Sequence, residues 1–255
     1  MHLYRAAASF TMQDVKPLST PLIEYDMVST IEKIGRFPIH LWSIRDMDRA
    51  VEEICSKYLP ETPEEETLIL DLCPYFATLW PSARALGIFM SERKSQFSKL
   101  CGIEVGCGLG LPSILAALLG AQIHASDFHP DVGHWLEKNA ALNRVKVPYL
   151  SWDWTQPELN PLPASGQYDF VLASDVLYES RHPKDLVAAL TRLTRPGGKI
   201  YLSDPGRSYL DRALQEFESR GLSIARFLYE VEESSIIPGH RLEKKRSIQV
   251  FEISC

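Results

Sequence analysis

The sequence predicts an α/β protein in which one doubly wound, mostly parallel sheet of seven strands follows an N-terminal β-hairpin and helix. Beyond residue 100, short apolar runs alternate with helical segments, as they do in βαβ units. A glycine-rich loop joins the first of these runs to its helix, and the last two runs have no helix between them. The 255 residues, 45% of them hydrophobic, suffice for one such domain with a small appendage but not for two equal domains.

The N-terminal part of the chain contains two segments typical of paired strands. Residues 22–34 and 37–44 are rich in Ile, Val, Tyr and Phe. Gly35 and Arg36 lie between them and are suited to a tight connection. We therefore predict a β-hairpin here.

A helix and a linker are predicted to follow the hairpin. The helix begins near Asp46 and ends at Pro60, because apolar side chains recur at helical spacing, at Met47, Ala50, Val51 and Ile54. Residues 60–66 read Pro-Glu-Thr-Pro-Glu-Glu-Glu and predict a solvated linker. The chain accordingly divides into an extension, residues 1–66, and a larger domain, residues 67–255.

The larger domain contains seven strand-like runs. Five are expected to be parallel, near 101–105, 121–126, 147–151, 168–174 and 199–203. Helices are predicted near 112–119, 131–142, 184–194 and 208–220. The last two runs, 222–231 and 247–253, are expected to pair antiparallel at one edge of the sheet.

The charge and hydropathy of the chain exclude several classes of partner. Lys and Arg total 27 and Asp and Glu total 33, which gives a formal net charge of −6 and no basic footprint for nucleic acid. The longest apolar stretch, residues 109–119, is shorter than the roughly 20 residues of a membrane span. The first ten residues lack an apolar leader region. We expect a cytoplasmic monomer with no membrane or nucleic-acid partner.

The cysteines and histidines do not predict a disulfide framework or a metal site. The five cysteines are odd in number and never spaced as C-x-x-C, at Cys55, Cys73, Cys101, Cys107 and Cys255. Three histidines lie within eleven residues but lack a supporting pattern of cysteines or carboxylates, at His124, His129 and His134. We expect a reducing environment and no bound metal.

The glycine-rich loop is the strongest indication of a ligand site. An apolar strand ending at Val105 leads into three glycines, and Pro112 then suits the first turn of a helix. Glycines let a backbone approach a ligand closely, and the helix N-terminus offers free N–H groups. The next strand ends in Asp127, where an acid reaches ribose hydroxyls in doubly wound folds. The alternative is a tight strand-to-helix turn.

The loop spacing indicates which cofactor is expected. A dinucleotide fingerprint needs its third glycine at position 111, where this chain has Leu, and the third glycine lies at 110 instead. Glu104, two residues before the first glycine, suits an amine-bearing or cationic ligand and would repel a pyrophosphate. NAD is therefore disfavoured.

Residues 104–110 read E-V-G-C-G-L-G, which resembles motif I of the class I, seven-strand S-adenosylmethionine-dependent methyltransferases. The resemblance implies a Rossmann-like fold and S-adenosylmethionine as the cofactor. It also implies that Asp127 binds the ribose. The residues implied to surround the aminoacid part of the cofactor are Glu104, Gly106, Cys107, Gly108 and Gly110.

Three further segments resemble the methyltransferase family 16 branch, which contains many protein-lysine methyltransferases. Trp80-Pro81 is similar to the W-P segment whose tryptophan lies close to the cofactor; the alternative is a core aromatic at a helix start. Residues 150–154, L-S-W-D-W, fit an L-x-W segment at Trp152 or a D-W variant at Asp153 and Trp154. We take Asp153 and Trp154 as the candidates for cofactor binding.

The third segment, D-V-L-Y at Asp175 to Tyr178, resembles the D-x-x-Y motif at the end of the fourth strand. Ligands in open α/β sheets bind beyond the carboxyl ends of the strands, so Asp175 is expected at the methyl end of the cofactor. The alternative is an Asp that caps a helix. The motif lacks the prolines typical of enzymes that methylate nucleobase amines.

A fourth match is shorter. Asp204-Pro205-Gly206-Arg207 is similar to the D-P-G-R of enzymes that methylate lysines of the electron-transfer flavoprotein β-subunit. A Pro-Gly turn with a solvated Arg207 is an equal alternative.

These resemblances imply methyl transfer to a lysine side chain of a protein. Asp175, with the backbone of Ser174, is expected to orient the amine, and Tyr178 to form part of the pocket wall. A small-molecule N- or O-methyltransferase, a protein-histidine methyltransferase and a cofactor-binding protein without catalysis remain alternatives.

Overall fold

A computed structural model describes residues 23–155, 166–180, 182–237 and 240–255 of the chain, and they form the predicted α/β fold. In chain order the strands are β1 (Met27–Ile34), β2 (Phe37–Ile44), β3 (Cys101–Val105), β4 (Gln122–Asp127), β5 (Tyr149–Ser151), β6 (Tyr168–Ser174), β7 (Thr194–Asp204), β8 (Ser223–Ile237) and β9 (His240–Ser254). The helices are α1 (Met47–Lys57), α2 (Pro63–Asp71), α3 (Pro81–Glu92), α4 (Leu111–Leu118), α5 (Val132–Leu142), α6 (His182–Leu193) and α7 (Leu210–Ser219). Short 3-10 helices cover Tyr75–Ala77 and Lys94–Gln96.

The seven-stranded sheet has the order β5-β4-β3-β6-β7-β9-β8. The pairs from β5 to β7 are parallel, while β9 runs antiparallel to both β7 and β8. The predicted antiparallel pair at the edge is therefore confirmed. Because the strand order reverses direction between β3 and β6, the carboxyl ends of the parallel strands frame a crevice.

Helices cover both faces of the sheet, as a doubly wound fold requires. On β6, Val171 and Ala173 pack against α6 and α7, whereas Phe170 and Leu172 face the core formed with α3 and α4. This alternation follows from the two-residue period of a strand. Both faces of β6 are thus buried over Phe170–Ala173, which explains the apolar run at these positions.

The hairpin of β1 and β2 is confirmed, with Gly35 at its turn in the left-handed region, at φ +56°. It is docked onto α5 by two asparagine side chains. Asn139 Oδ1 accepts a hydrogen bond from the N–H of Trp42 at 2.7 Å, and Asn143 Oδ1 accepts one from the N–H of His40 at 2.9 Å. These bonds satisfy the edge of β2, which would otherwise be unpaired.

The predicted helix after Asp46 is confirmed as α1, but the predicted linker is wrong from Pro63 onward, where α2 begins. Thr62 Oγ1 accepts a hydrogen bond from the N–H of Glu65 at 3.2 Å, and the Glu65 carboxylate accepts one from the N–H of Glu61 at 2.7 Å. Thr62 and Glu65 have the spacing of a helix-capping box, which outweighs the charge run. The division predicted between residues 66 and 67 falls inside this helix and stays a prediction.

Within the described parts of the chain, no helix is long and apolar enough to span a membrane.

Candidate active site

A cavity of about 520 Å³ lies at the carboxyl ends of all five parallel strands. This volume is within the roughly 300–1,000 Å³ of small-molecule sites. The segments that follow β3, β4, β5, β6 and β7 each contribute lining residues, and α2, α3 and the segment between them close the other side. Two lining residues, Tyr75 and Tyr178, are 42% and 49% exposed, so the cavity reaches the surface beside them.

Ten of the residues predicted from the sequence for the site line this cavity. They are Trp80, Gly106, Cys107, Gly108, Gly110, Asp127, Trp154, Ser174, Asp175 and Tyr178. The other two, Glu104 and Asp153, are not on its wall.

The glycine loop follows β3 along a path that a side chain would obstruct. Gly106 and Gly110 have φ values of +67° and +78°, in the left-handed region that favours glycine. A Cβ atom at Gly110 would lie 2.2 Å from Leu136 Cδ1, and one at Gly106 would lie 2.7 Å from Val176 Cγ1. The glycines therefore let the loop pack closely against Leu136 and Val176 while it lines the cavity.

Glu104 lies fully buried beneath this loop. Its Oε2 accepts hydrogen bonds from the N–H of Ser113 at 2.9 Å and from the hydroxyl of Ser113 at 2.5 Å, whereas its buried Oε1 has no hydrogen-bond partner. Burial raises the pKa of Glu104 to about 8, although the bonds from Ser113 oppose this. The carboxyl thus fixes the first turn of α4, below the cavity floor.

Asp127 holds the glycine loop from the end of β4. Its Oδ2 accepts a hydrogen bond from the N–H of Gly108 at 3.0 Å, and its Oδ1 accepts one from the N–H of His129 at 3.1 Å. Asp127 is 8% exposed and lies on the cavity wall. Each carboxylate oxygen can accept a second hydrogen bond, so the group can still bind hydroxyls in the cavity.

His129, which sequence reasoning did not place in the site, lines the cavity beside Asp127. Its Nε2 lies 3.2 Å from the carbonyl of Leu72, and its Nδ1 lies 3.2 Å from the N–H of Asp131. One neutral tautomer satisfies both contacts, with Nε2–H as donor and Nδ1 as acceptor. Burial lowers the pKa of His129, which favours that neutral form.

The two tryptophans that follow β5 have different surroundings. Trp152 is buried in the core below β3 and β6, whereas Trp154 reaches the cavity. Of the two possible matches at residues 150–154, the D-W variant thus places its tryptophan on the wall. Asp153 instead turns back on its own loop, where its Oδ1 accepts hydrogen bonds from the backbone and hydroxyl of Thr155.

Asp175 follows β6 and is the most constrained side chain on the wall. Its φ is +60°, and its side chain is 5% exposed. Oδ2 accepts a hydrogen bond from the hydroxyl of Ser82 at 3.0 Å, while Oδ1 accepts one from Arg207 Nε at 2.6 Å and lies 2.5 Å from Arg207 Nη2. A non-glycine residue in this conformation is uncommon and is held only where its surroundings fix it.

Tyr178 forms an exposed lip beside Asp175. Its ring packs edge-on against the buried His182 with a centroid separation of 4.5 Å, and Trp154 packs on the same imidazole at 4.8 Å. His182 Nδ1 lies 2.8 Å from the carbonyl of Val176, and Nε2 lies 3.4 Å from Glu179 Oε1. The rings of Trp154, His182 and Tyr178 therefore pack in a row, and this row ends at the exposed Tyr178.

The wall of the cavity carries more negative than positive charge. Four carboxylate side chains line it, from Asp71, Asp127, Asp175 and Glu179. Arg207 is the one lysine or arginine among the described lining residues. This balance favours cationic ligands over phosphates.

A profile of the lysine methyltransferase family matches residues 75–217, which is more than half of the chain. The chain belongs to this family. The matched range contains every lining residue of the cavity except Cys73 and the residues of α2. This methyltransferase depends on S-adenosylmethionine.

The curated relatives that match this chain include other protein methyltransferases. Over 196 residues this methyltransferase is 27% identical to protein-lysine methyltransferase METTL21E of Bos taurus, covering 68% of this chain and 67% of that protein. It is 30% identical over 130 residues to histone-arginine methyltransferase METTL23 of Homo sapiens, covering 49% and 66%. The chain thus matches about two thirds of the length of these relatives.

Among solved structures, magnesium protoporphyrin IX methyltransferase (ChlM) from Synechocystis PCC 6803, with bound S-adenosylmethionine, superposes with a TM-score of 0.52. The sequences are 16% identical, and the superposition covers 81% of this chain and 90% of that one. At this identity the likeness shows the shared Rossmann-like fold.

The cavity suits S-adenosylmethionine on the chemistry of its wall. The carboxylate oxygens of Asp127 would accept ribose hydroxyls, the glycine loop lines the cavity, and the excess of carboxylates suits cationic sulfonium and ammonium groups. Glu104 supports this end from beneath by fixing Ser113 in the first turn of α4.

Proposed function

We propose that this enzyme transfers a methyl group from S-adenosylmethionine to a lysine side chain of a protein substrate. The observation that carries the proposal is the continuity of the cavity. One wall runs from the glycine loop and Asp127 to Asp175 and the exposed lip residue Tyr178. A cofactor at the loop and an acceptor side chain entering at the lip would therefore meet near Asp175.

The residues proposed to hold the cofactor are those predicted from the sequence. Asp127 would bind the ribose, and Trp80 and Trp154, which both line the cavity, would contact the cofactor. Glu104 and Asp153, which lie off the wall, would act through the segments they fix. When bound, S-adenosylmethionine would supply an electrophilic methyl group; the C–S bond would break as the C–N bond forms, and its electron pair would stay on sulfur in the product S-adenosylhomocysteine.

The residues around the acceptor position favour an amine over an alcohol or a phosphate. Asp175 and Glu179 provide carboxylates that can accept N–H hydrogen bonds, and Ser174 lies beside them on the wall. Tyr178 would cover the aliphatic part of the side chain. The enzyme then contributes mainly orientation of the nitrogen toward the methyl group, with no covalent intermediate on the protein.

The printed names of the relatives support a protein substrate. METTL21E and METTL21A are named protein-lysine methyltransferases, and METTL23 is named a histone-arginine methyltransferase. We propose lysine because the matching family profile carries that description. In this proposal residues 67–255 form the methyltransferase domain, and the enzyme acts as a cytoplasmic monomer whose described thiols are all unpaired.

The test uses purified protein, methyl-labelled S-adenosylmethionine and a methylation-poor cell extract, with wild type, Asp175→Ala and Asp211→Ala compared. Asp211 is an exposed carboxylate on α7, away from the cavity, and serves as the matched control. We expect a discrete, protease-sensitive labelled band with wild type and Asp211→Ala. With Asp175→Ala we expect at least a 100-fold loss of label, since orientation of the acceptor contributes about that much.

Cofactor binding by calorimetry and peptide mass spectrometry complete the test. Binding of S-adenosylmethionine retained by Asp175→Ala, with the methyl group on a lysine, supports the proposal. Label only among small molecules, or on histidine or arginine, contradicts it. Simultaneous loss of cofactor binding and transfer in Asp175→Ala would show that Asp175 is structural.

A further inference from the structure

Arg207 occupies the acceptor end of the cavity, in contact with the carboxylate on which the proposed function depends. Its guanidinium places Nε at 2.6 Å and Nη2 at 2.5 Å from the same oxygen, Asp175 Oδ1. The Arg207 side chain is 32% exposed and that of Asp175 is 5% exposed. A solvated arginine beyond a turn, the alternative left open by the sequence, does not describe this contact.

The turn that carries Arg207 is itself fixed from below. Asp204, at the end of β7, is fully buried, and its Oδ1 accepts hydrogen bonds from the N–H groups of Gly206 and Arg207, both at 2.7 Å. Gly206 has a φ of +93°, which turns the chain back toward β6. The D-P-G-R segment thus forms a turn, held by hydrogen bonds to Asp204, that sets the position of the Arg207 guanidinium.

A second contact fixes the other oxygen of Asp175. The hydroxyl of Ser82 on α3 donates to Oδ2 at 3.0 Å, and the Ser203 hydroxyl donates to the carbonyl of Ser82 at 2.9 Å. The carboxylate is therefore held on both oxygens, by one group from α3 and one from the turn after β7. The Asp175 carboxylate therefore has little freedom to move toward a charged side chain that enters the cavity.

The charge of Arg207 has a chemical consequence for an acceptor amine. Methyl transfer needs the lone pair of the nitrogen, which an ammonium group lacks. An isolated carboxylate within about 4–6 Å would stabilise the ammonium form and raise the pKa of the amine. A guanidinium on that carboxylate offsets its charge, while the second lone pairs of Oδ1 and Oδ2 can still accept an N–H hydrogen bond.

We propose that Arg207 is a positioning residue that fixes the Asp175 carboxylate and cancels its charge, so that the acceptor lysine is held as the neutral, nucleophilic amine. This inference rests on the proposed function, because it specifies how the same site treats its acceptor. It assigns to the D-P-G-R segment a role in the protonation state of the substrate.

The kinetic test compares Arg207→Gln, Arg207→Lys and a matched control, Arg195→Gln. Arg195 also pairs with an aspartate, Asp169, at 2.6 Å, but at the opposite end of the strands. For Arg207→Gln we expect kcat to fall about 100-fold and KM for the acceptor to stay equal or fall. The acid limb of the pH profile of kcat should move up by about one pH unit. This is the smaller end of the range of pKa shifts that a neighbouring charge produces, because Arg207 is partly exposed.

Arg207→Lys keeps the charge but loses the forked contact, so its acid limb should stay in place while kcat falls less. Arg195→Gln should match wild type in kcat and in pH profile. An Arg207→Gln variant that loses kcat with an unmoved acid limb would assign Arg207 a purely structural role and overturn the proposal.

A readout without turnover tests the ion pair itself. Nitrogen-15 NMR of the arginine Nε–H groups should show slow solvent exchange for Arg207 in wild type and fast exchange in Asp175→Ala, with Arg195 unchanged. Fast exchange of Arg207 in wild type overturns the proposal whatever the kinetics show. If the wild type modifies a nitrogen other than lysine, the proposed function fails, and the same variants are compared on that acceptor. If it transfers no methyl group, both proposals fail.

Discussion

The buried carboxyl of Glu104 makes the stability of the fold depend on pH across the neutral range. Glu104 is fully buried, its Oε1 has no partner, and its pKa rises from the ordinary 4.5 to about 8. The substitution that isolates this effect is Glu104→Gln, because glutamine keeps the shape and can accept both bonds from Ser113 but cannot ionise. We predict that the stability difference between variant and wild type changes with pH.

The direction follows from proton linkage. Below pH 4.5 the folded and unfolded states both hold the proton, and the stabilising contribution is complete. As the pH rises toward 8, the unfolded state releases the proton before the folded state does, so the free energy of unfolding of wild type falls. At 1.36 kcal/mol for each pH unit, the whole gap between 4.5 and about 8 corresponds to about 5 kcal/mol. Between pH 5.5 and 7.5 the loss is about 2.5 kcal/mol.

The assay is urea unfolding of wild type, Glu104→Gln and Glu218→Gln at half-unit steps from pH 5.5 to 7.5. Glu218 is exposed on α7 and provides the matched control. The free energy of Glu104→Gln relative to wild type should rise by about 2.5 kcal/mol over this range, while that of Glu218→Gln stays constant. A constant difference for Glu104→Gln would show that the carboxyl ionises in the folded protein as it does in water, and would refute the reasoning.

Two further substitutions test the glycine loop and its support. Gly110→Ala should lower the free energy of unfolding by at least about 2 kcal/mol in urea unfolding and weaken S-adenosylmethionine binding in calorimetry, since it combines left-handed strain with a 2.2 Å clash against Leu136. Gly197→Ala, with a similar φ of +74° and open space at its Cβ, should cost only the strain, and equal losses in the two variants would remove the clash from the explanation. Asn139→Ala should cost about 1–3 kcal/mol in the same unfolding assay, because it leaves the buried carbonyl of Leu109 and the partly buried N–H of Trp42 without partners; a loss under about 1 kcal/mol would mean that water replaces the side chain.

The sequence predicted the centre of the sheet well because β3, β6 and the end of β7 are buried on both faces. The run Phe170–Ala173 is apolar and too short for a helix, so composition and length agree. The glycine loop and Asp127 were equally predictable, since close approach and positive φ require particular residue types. These features depend on local constraints, which a sequence displays.

The helices α2 and α3 were harder to find than α1. Residues of α3 are buried around most of its circumference, so it lacks the polar face that produces a helical period. For α2, a charge run concealed a capping box at Thr62 and Glu65, which is a signal that was available. At α2, the hydrogen bonds of the cap outweigh the effect of the charge run, and a helix forms.

Contacts between distant segments were the least predictable part of the site. Ser82 is 93 positions from Asp175, and no pattern in the chain joins them. Arg207 meets Asp175 because β6 and β7 are neighbours, which depends on the strand order. Likewise, Asp153 and Trp154 are adjacent in sequence, but only the side chain of Trp154 reaches the cavity.

The position of β9 has a consequence for synthesis of the protein. Strand β9 is made after β8 yet lies between β7 and β8, pairing with both along antiparallel registers. While a ribosome is still translating residues 240–254, β7 presents an open edge and β8 has no neighbour. The five parallel strands of the nascent chain are therefore made before β9 exists, and until then the outer edge of β7 lacks its partner.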